Sequence, residues 1–190
     1  MSILTEQAPH SVFVDGIECP IATDFKVWLR FSELIGKDMP EFEKMAQAFK
    51  LAFGDTLPPK LDGAIKAMMD FYGHTGTRDG NTERENPLQK SYFDFEYDAE
   101  LIYSAFLQQY KIDLCSTEMH WWKFKALLTG LSEDTHFIKV VQYRSIDTSK
   151  IKDKEQKKFY LSMKKQYKLP DKRSEEQKEQ QLNHALEAFF

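Results

Sequence analysis

Along most of the chain, short runs of periodic apolar residues are separated by glycine and proline, and the period of each run predicts its element. Val12, Phe13 and Val14 precede Asp15-Gly16, and Ile17 to Ile21 follow. Asp-Gly supplies the positive φ angles of a two-residue turn, so the chain is expected to open with a β-hairpin. Pro20 lacks a backbone donor and places the second strand at an edge or ends it early. Thr23 and Asp24 are capping residues for a helix from Phe25 to about Ile35, in which Phe25, Trp28, Leu29 and Ser32 to Ile35 keep helical spacing and Gly36 is the stop. Asp38, Pro40 and Glu41 open a second helix, with Phe42, Met45, Phe49 and Phe53 on one face and Gly54 at its end. Pro58-Pro59 precedes a third, in which Leu61, Ile65, Met68 or Met69, and Tyr72 follow the same period.

From Gly73 to Lys90 only Leu88 is a sizeable apolar residue. With nothing to bury, 73–90 is expected to be a mobile loop or linker. Phe93, Phe95 and Tyr97 then alternate with Asp94, Glu96 and Asp98, a period of two that predicts a short extended segment with rings on one face and carboxylates on the other. Asp98 is placed to cap a helix carrying Ala99, Ile102, Tyr103, Phe106 and Tyr110. A further helix from about Thr117 to Thr129 has Met119, Trp121, Trp122, Phe124, Leu127 and Leu128 around nearly its whole circumference, which assigns it to the centre of a bundle. Gly130 ends it, and Ser132 is the expected cap of a helix with Phe137, Val140, Val141 and Arg144. A basic helix around Lys154 to Lys168 and an acidic, glutamine-rich one after Ser174 complete the pattern. The fold class that follows is mainly α: a helical bundle with a small N-terminal β-hairpin, one domain over 1–146, and a charged helical tail over 147–190.

Aromatic residues at 14% and hydrophobic residues at 42% supply enough apolar area for a core. The formal net charge of -4 hides an uneven distribution. Between Lys150 and Arg173 ten Lys and Arg face three acids, so the rest of the chain is strongly acidic. The two cysteines, Cys19 and Cys115, are too far apart in different contexts to build a disulfide framework or a zinc site, and read as thiols of a reducing cytoplasm. The N-terminus lacks the order of a secretory signal, and no run reaches the ~20 apolar residues of a bilayer span.

Candidate chemistry is sparse. The carboxylates Asp94, Glu96, Asp98 and Glu100 lack a His or Lys partner at motif spacing and read as a solvated face with a helix cap. The five histidines are scattered, with no metal-binding motif. Gly73-His74-Thr75-Gly76 has the form of a nucleic-acid-clamping GxxG but lacks the lysines and strands around it. Neither catalytic residues nor a cofactor or metal site is expected. Trp121 and Trp122 are neighbours on a helix, so their rings diverge by about 100° and cannot form one platform. One belongs to the core, and the other is available as a partner anchor. The helix with Lys157, Lys158, Lys164, Lys165 and Lys168 around Phe159, Tyr160, Met163 and Tyr167 is amphipathic and suits an anionic or acidic partner. The candidate partner contacts are therefore Trp121, Trp122, Lys157, Lys158, Tyr160, Lys164 and Lys165.

The order of residues in Tyr97-Asp98-Ala99, Ile102-Tyr103, Phe106, Ile112-Asp113-Leu114, His120-Trp121-Trp122-Lys123-Phe124, Leu127, Gly130-Leu131 and Tyr143-Arg144 resembles the bacteriophage gp-fifteen family. These are small proteins of siphophage and prophage tail modules, read as tail assembly chaperones encoded beside the tape measure protein. The resemblance runs from Asp94 to Arg144, and more weakly over the hairpin and first helix; the tail after Ile146 is not matched in detail. It implies a non-catalytic chaperone in the host bacterial cytoplasm that binds the tape measure protein during long-tail morphogenesis, with self-association and the tail tube protein as further contacts and no membrane. The loop and the charged tail are its expected adaptable contacts. Two alternatives remain: a structural virion component of the tail or head-tail joint, and a nucleic-acid-binding adaptor using the basic helix 154–168. The acidic chain as a whole disfavours the second.

Overall fold

The computed structural model describes residues 5–56, 58–73 and 92–170. Strands β1 (Ser11–Val14) and β2 (Ile17–Pro20) pair antiparallel, with Val14 opposite Ile17 and Ser11 opposite Pro20. Asp15 (φ 50°) and Gly16 (φ 83°) make the turn, the conformation for which Asp-Gly is suited. Helices α1 (Phe25–Ile35), α2 (Glu41–Phe53), α3 (Leu61–Gly73), α4 (Ala99–Tyr110), α5 (Trp121–Thr129), α6 (His136–Ser145) and α7 (Lys154–Gln166) follow. The fold is mainly α, as the periodicity predicts.

The hydrophobic core lies around α5. Phe124 stacks on Phe25 at 4.8 Å between centroids, on Phe106 at 5.2 Å and on Trp121 at 5.8 Å, joining α1, α4 and α5 through one column of rings. Each such side chain contributes about 1.5–3 kcal/mol on full burial. Helices α1 and α5 start side by side: the Phe25 N–H donates to the Met119 carbonyl at 2.9 Å, and the Trp121 N–H to the Thr23 carbonyl at 2.7 Å. Asp24 caps α1 as expected, its Oδ1 accepting from the Lys26 N–H at 2.9 Å. The hairpin rests on α3 at Gly63, where a Cβ would stand 3.1 Å from Val14 Cγ1.

Several local expectations are corrected. The segment before α4 is a turn and not an extended strand: Asp94 Oδ1 accepts from the N–H groups of Glu96 (3.0 Å) and Tyr97 (2.9 Å). Phe93 and Phe95 pack against the core as expected, but the last pair is reversed, since Asp98 is 1% exposed whereas Tyr97 points to solvent. Asp98 occupies the cap position of α4 but its side chain makes no cap bond. Helix α5 starts at Trp121 and not at Thr117, because His120 is the capping residue. Thr135, not Ser132, caps α6: Thr135 Oγ1 accepts from the Ile138 N–H at 3.4 Å, while Ser132 serves the turn before it. In α2 the buried residues Ala48, Phe49, Ala52 and Phe53 all lie in the second half, so the first turn is uncovered and Phe42 is 85% exposed. In α3 the buried face is Ala64, Met68 and Phe71, rotated away from Leu61 and Met69. Of the loop expected over 73–90 only Gly73, the last residue of α3, is described; the remainder, like the helix expected after Ser174, lies outside the described residues.

A basic candidate surface and the clamps behind it

The two tryptophans of α5 serve the end of α3. A helix leaves its last carbonyls without intrahelical partners. Trp121 Nε1 donates to the Tyr72 carbonyl at 2.9 Å, Trp122 Nε1 to the Phe71 carbonyl at 2.9 Å, and Lys125 Nζ to the Tyr72 carbonyl at 2.6 Å. The Tyr72 ring stacks on Trp121 at 5.4 Å and 8° between planes, and the Lys125 ammonium lies 5.4 Å from the centre of the Trp121 ring. Burial lowers the Lys125 pKa to about 8, and pushes the Tyr72 phenol up. Divergence of adjacent rings thus does not prevent the two indoles from acting together, because they reach consecutive carbonyls. Trp121 is 1% exposed and offers no surface to a partner; Trp122 is half-buried against Phe71. Lys125 was not singled out by sequence reasoning. Its place one turn after Trp121 is the only local hint of the shared task.

His120, just before them, holds α5 and the N-terminal segment together. Its Nδ1 accepts from the Trp122 N–H at 3.1 Å, so the neutral ring carries its proton on Nε2, which faces the Pro9 carbonyl at 3.0 Å. Burial, more than any neighbouring charge, lowers its pKa. A shallow depression beside it is lined by Glu6, His10, Asp24, Glu118, His120 and Lys123 among others. Among the described residues no group of His, Cys, Asp and Glu could hold a metal ion, and no helix is long and apolar enough to cross a membrane.

The third clamp fixes α7. Arg144 donates from Nη1 and Nη2 to the two carboxylate oxygens of Asp98 at 2.7 and 2.9 Å, from Nη1 also to the Tyr92 carbonyl at 3.0 Å, and from Nε to the Tyr167 carbonyl at 2.6 Å. One guanidinium therefore joins the turn before α4 to the end of α7. Beside it the Tyr143 ring meets Tyr167 at 6.0 Å, Phe159 at 6.1 Å and Tyr160 at 6.3 Å, and His136 Nε2 lies 3.3 Å from the Tyr167 hydroxyl.

Helix α7 is thereby docked along one side without a fully buried residue. Tyr160, Met163, Lys164 and Tyr167 form its half-buried inner stripe. Lys157, Lys158 and Lys165 are exposed, as are Lys154 and Lys168. At 100° per residue these five and Lys164 fall within an arc of about 120° centred on Leu161, and Glu155 falls outside it. No ion pair involving these six lysines is seen among the described residues. Of the predicted contacts, Lys157, Lys158, Tyr160, Lys164 and Lys165 thus share one helix, with Tyr160 turned toward the body; Trp121 and Trp122 stand apart on α5.

Searches among curated proteins and among solved structures found no match. The family model described as Bacteriophage Gp15 protein matches residues 4–169, from before the hairpin through α7 and so past Ile146, where the resemblance read from the sequence stopped. By that match over most of its length, the chain belongs to the Bacteriophage Gp15 protein family.

Proposed function

We propose that this phage protein is a non-catalytic morphogenesis factor, a tail assembly chaperone that covers the tape measure protein in the host cytoplasm until the tail tube forms. The observation that carries the reading is apolar surface left uncovered on adjoining elements. Phe13 is 70% exposed on the outer side of the hairpin and Leu61 58% exposed on α3, with Ile17 and Met69 also facing solvent. Water penalises such surface at roughly 25 cal/mol per Å², so a partner that covers these side chains gains that free energy. A tape measure chain is helical with apolar stripes that have no partner before the tube polymerises. Many modest contacts along it would hold several copies of this chain and still let them leave.

The test is co-expression with the tape measure encoded beside this gene, scoring its solubility and capture in a pull-down. Gain of solubility and a complex weakened by Phe13→Ser with Leu61→Ser supports the reading. A tape measure that stays insoluble and unbound overturns it, and this chain in purified virions would identify a structural component instead.

A further inference from the structure

We propose that α7 is the docking site for a second copy of this chain, and that copies join head to tail, α7 of one receiving the first turn of α2 from the next. Such association does not rest on the client-binding reading; a chain that captures no tape measure would still pair in this way.

The two surfaces have matching profiles. Across the outer side of α7, exposed Leu161 lies between Lys157 on one side, with half-buried Lys164 at the edge toward the body, and Lys158 and Lys165 on the other. The lysine stems widen this apolar line while their ammonium groups stay at its margins. Like charges one helical turn apart repel, so the row is stabilised by an acidic occupant. On the first turn of α2 Phe42 is 85% exposed, the most exposed large apolar side chain among the described residues. Glu41 and Glu43 project about 100° to either side of it, Glu41 also meeting Lys44 at 3.1 Å in a surface pair worth little in water. An acid–apolar–acid turn of α2 thus complements a base–apolar–base stripe on α7. The charge imbalance points the same way, since the segment from Lys150 to Arg173 is strongly basic and the rest of the chain is acidic in sum.

Because the two faces differ, each copy keeps one free face after pairing, and the contact propagates as an open chain of copies. Nucleic acid fits α7 less well. Its outer stripe holds no arginine, the side chain whose planar fork matches phosphate, and the acidic remainder of the molecule repels a polyanion.

Sedimentation of the full chain alone, over a range of concentration and salt, tests this. Wild-type mass should rise with concentration and fall as salt increases. Phe42→Ser, and separately the pair Lys157→Glu and Lys158→Glu, should each stay monomeric with unchanged helical circular dichroism. Mixed in equal amounts, the two variants should form a heterodimer and nothing larger, since each retains one intact face. Wild type that stays monomeric, variants that associate as wild type does, or a mixture that stays monomeric would each overturn the proposal. A monomeric chain that binds a short DNA duplex through Lys157 and Lys158 would reassign the stripe to nucleic acid.

Discussion

Arg144 and Asp98, 46 residues apart, form a two-bond ion pair at 2.7 and 2.9 Å with both side chains withdrawn from solvent. The remaining guanidinium contacts, to the carbonyls of Tyr92 and Tyr167, make this pair the point where the entry to α4 and the end of α7 meet. Removing one member of a buried pair leaves the other charge without compensation, a cost of about 3–5 kcal/mol. Asp98→Asn is expected to lower unfolding stability by that order in urea titration. Arg144→Lys keeps the charge but loses the fork, and should also expose α7 to limited proteolysis.

Lys125 gives the chain a pH dependence above neutrality. Its pKa in the fold is about 8, against about 10.4 in an unfolded chain. Between these values the unfolded chain binds the extra proton, so stability should rise with pH from about 8 to 10. Tyr72, whose phenol is pushed up by burial, opposes this only above about 10. Lys125→Met should abolish the rise, read from urea midpoints at several pH values, while Trp121 Nε1 continues to serve the Tyr72 carbonyl.

His120 acts in the opposite range. Its Nδ1 must stay unprotonated to cap α5, and burial lowers its pKa below the unfolded value of about 6.5. The unfolded chain then takes up the proton more readily, and stability is lost as pH falls below about 6.5. His120→Asn should retain a cap and flatten that slope, whereas His120→Ala should cost about 1–2 kcal/mol at pH 7.

The two phenylalanines of α2 should separate cleanly. Phe49 is buried and Phe42 is exposed, although seven residues apart they share a helical face. Phe49→Ala is expected to cost about 3–5 kcal/mol in thermal or urea unfolding. Phe42→Ala should change the stability of dilute monomer by no more than about 0.5 kcal/mol.

Of the candidate surface, the basic stripe of α7 was legible in the sequence, because a 100° step places its lysines together whatever the helix packs against. The inward turn of Tyr160 was not, since it depends on Tyr143 of α6. Trp121 and Trp122 were legible as a notable pair but not as a clamp, because the carbonyls they satisfy lie 49 and 51 residues away.

The sequence by itself determined what is settled within a few residues: the Asp15-Gly16 turn, the Asp24 cap, and the order and approximate spans of the seven helices described. Propensity, capping and periodicity act over one or two turns, so no distant partner is needed. Only the tertiary structure decided that Asp98 turns inward while Tyr97 turns out, that Leu61 and Phe42 remain in water, and that α7 is held against α6. Those outcomes depend on desolvation and on pairing with groups far along the chain, and a carboxylate accepts burial only where a guanidinium such as that of Arg144 meets it.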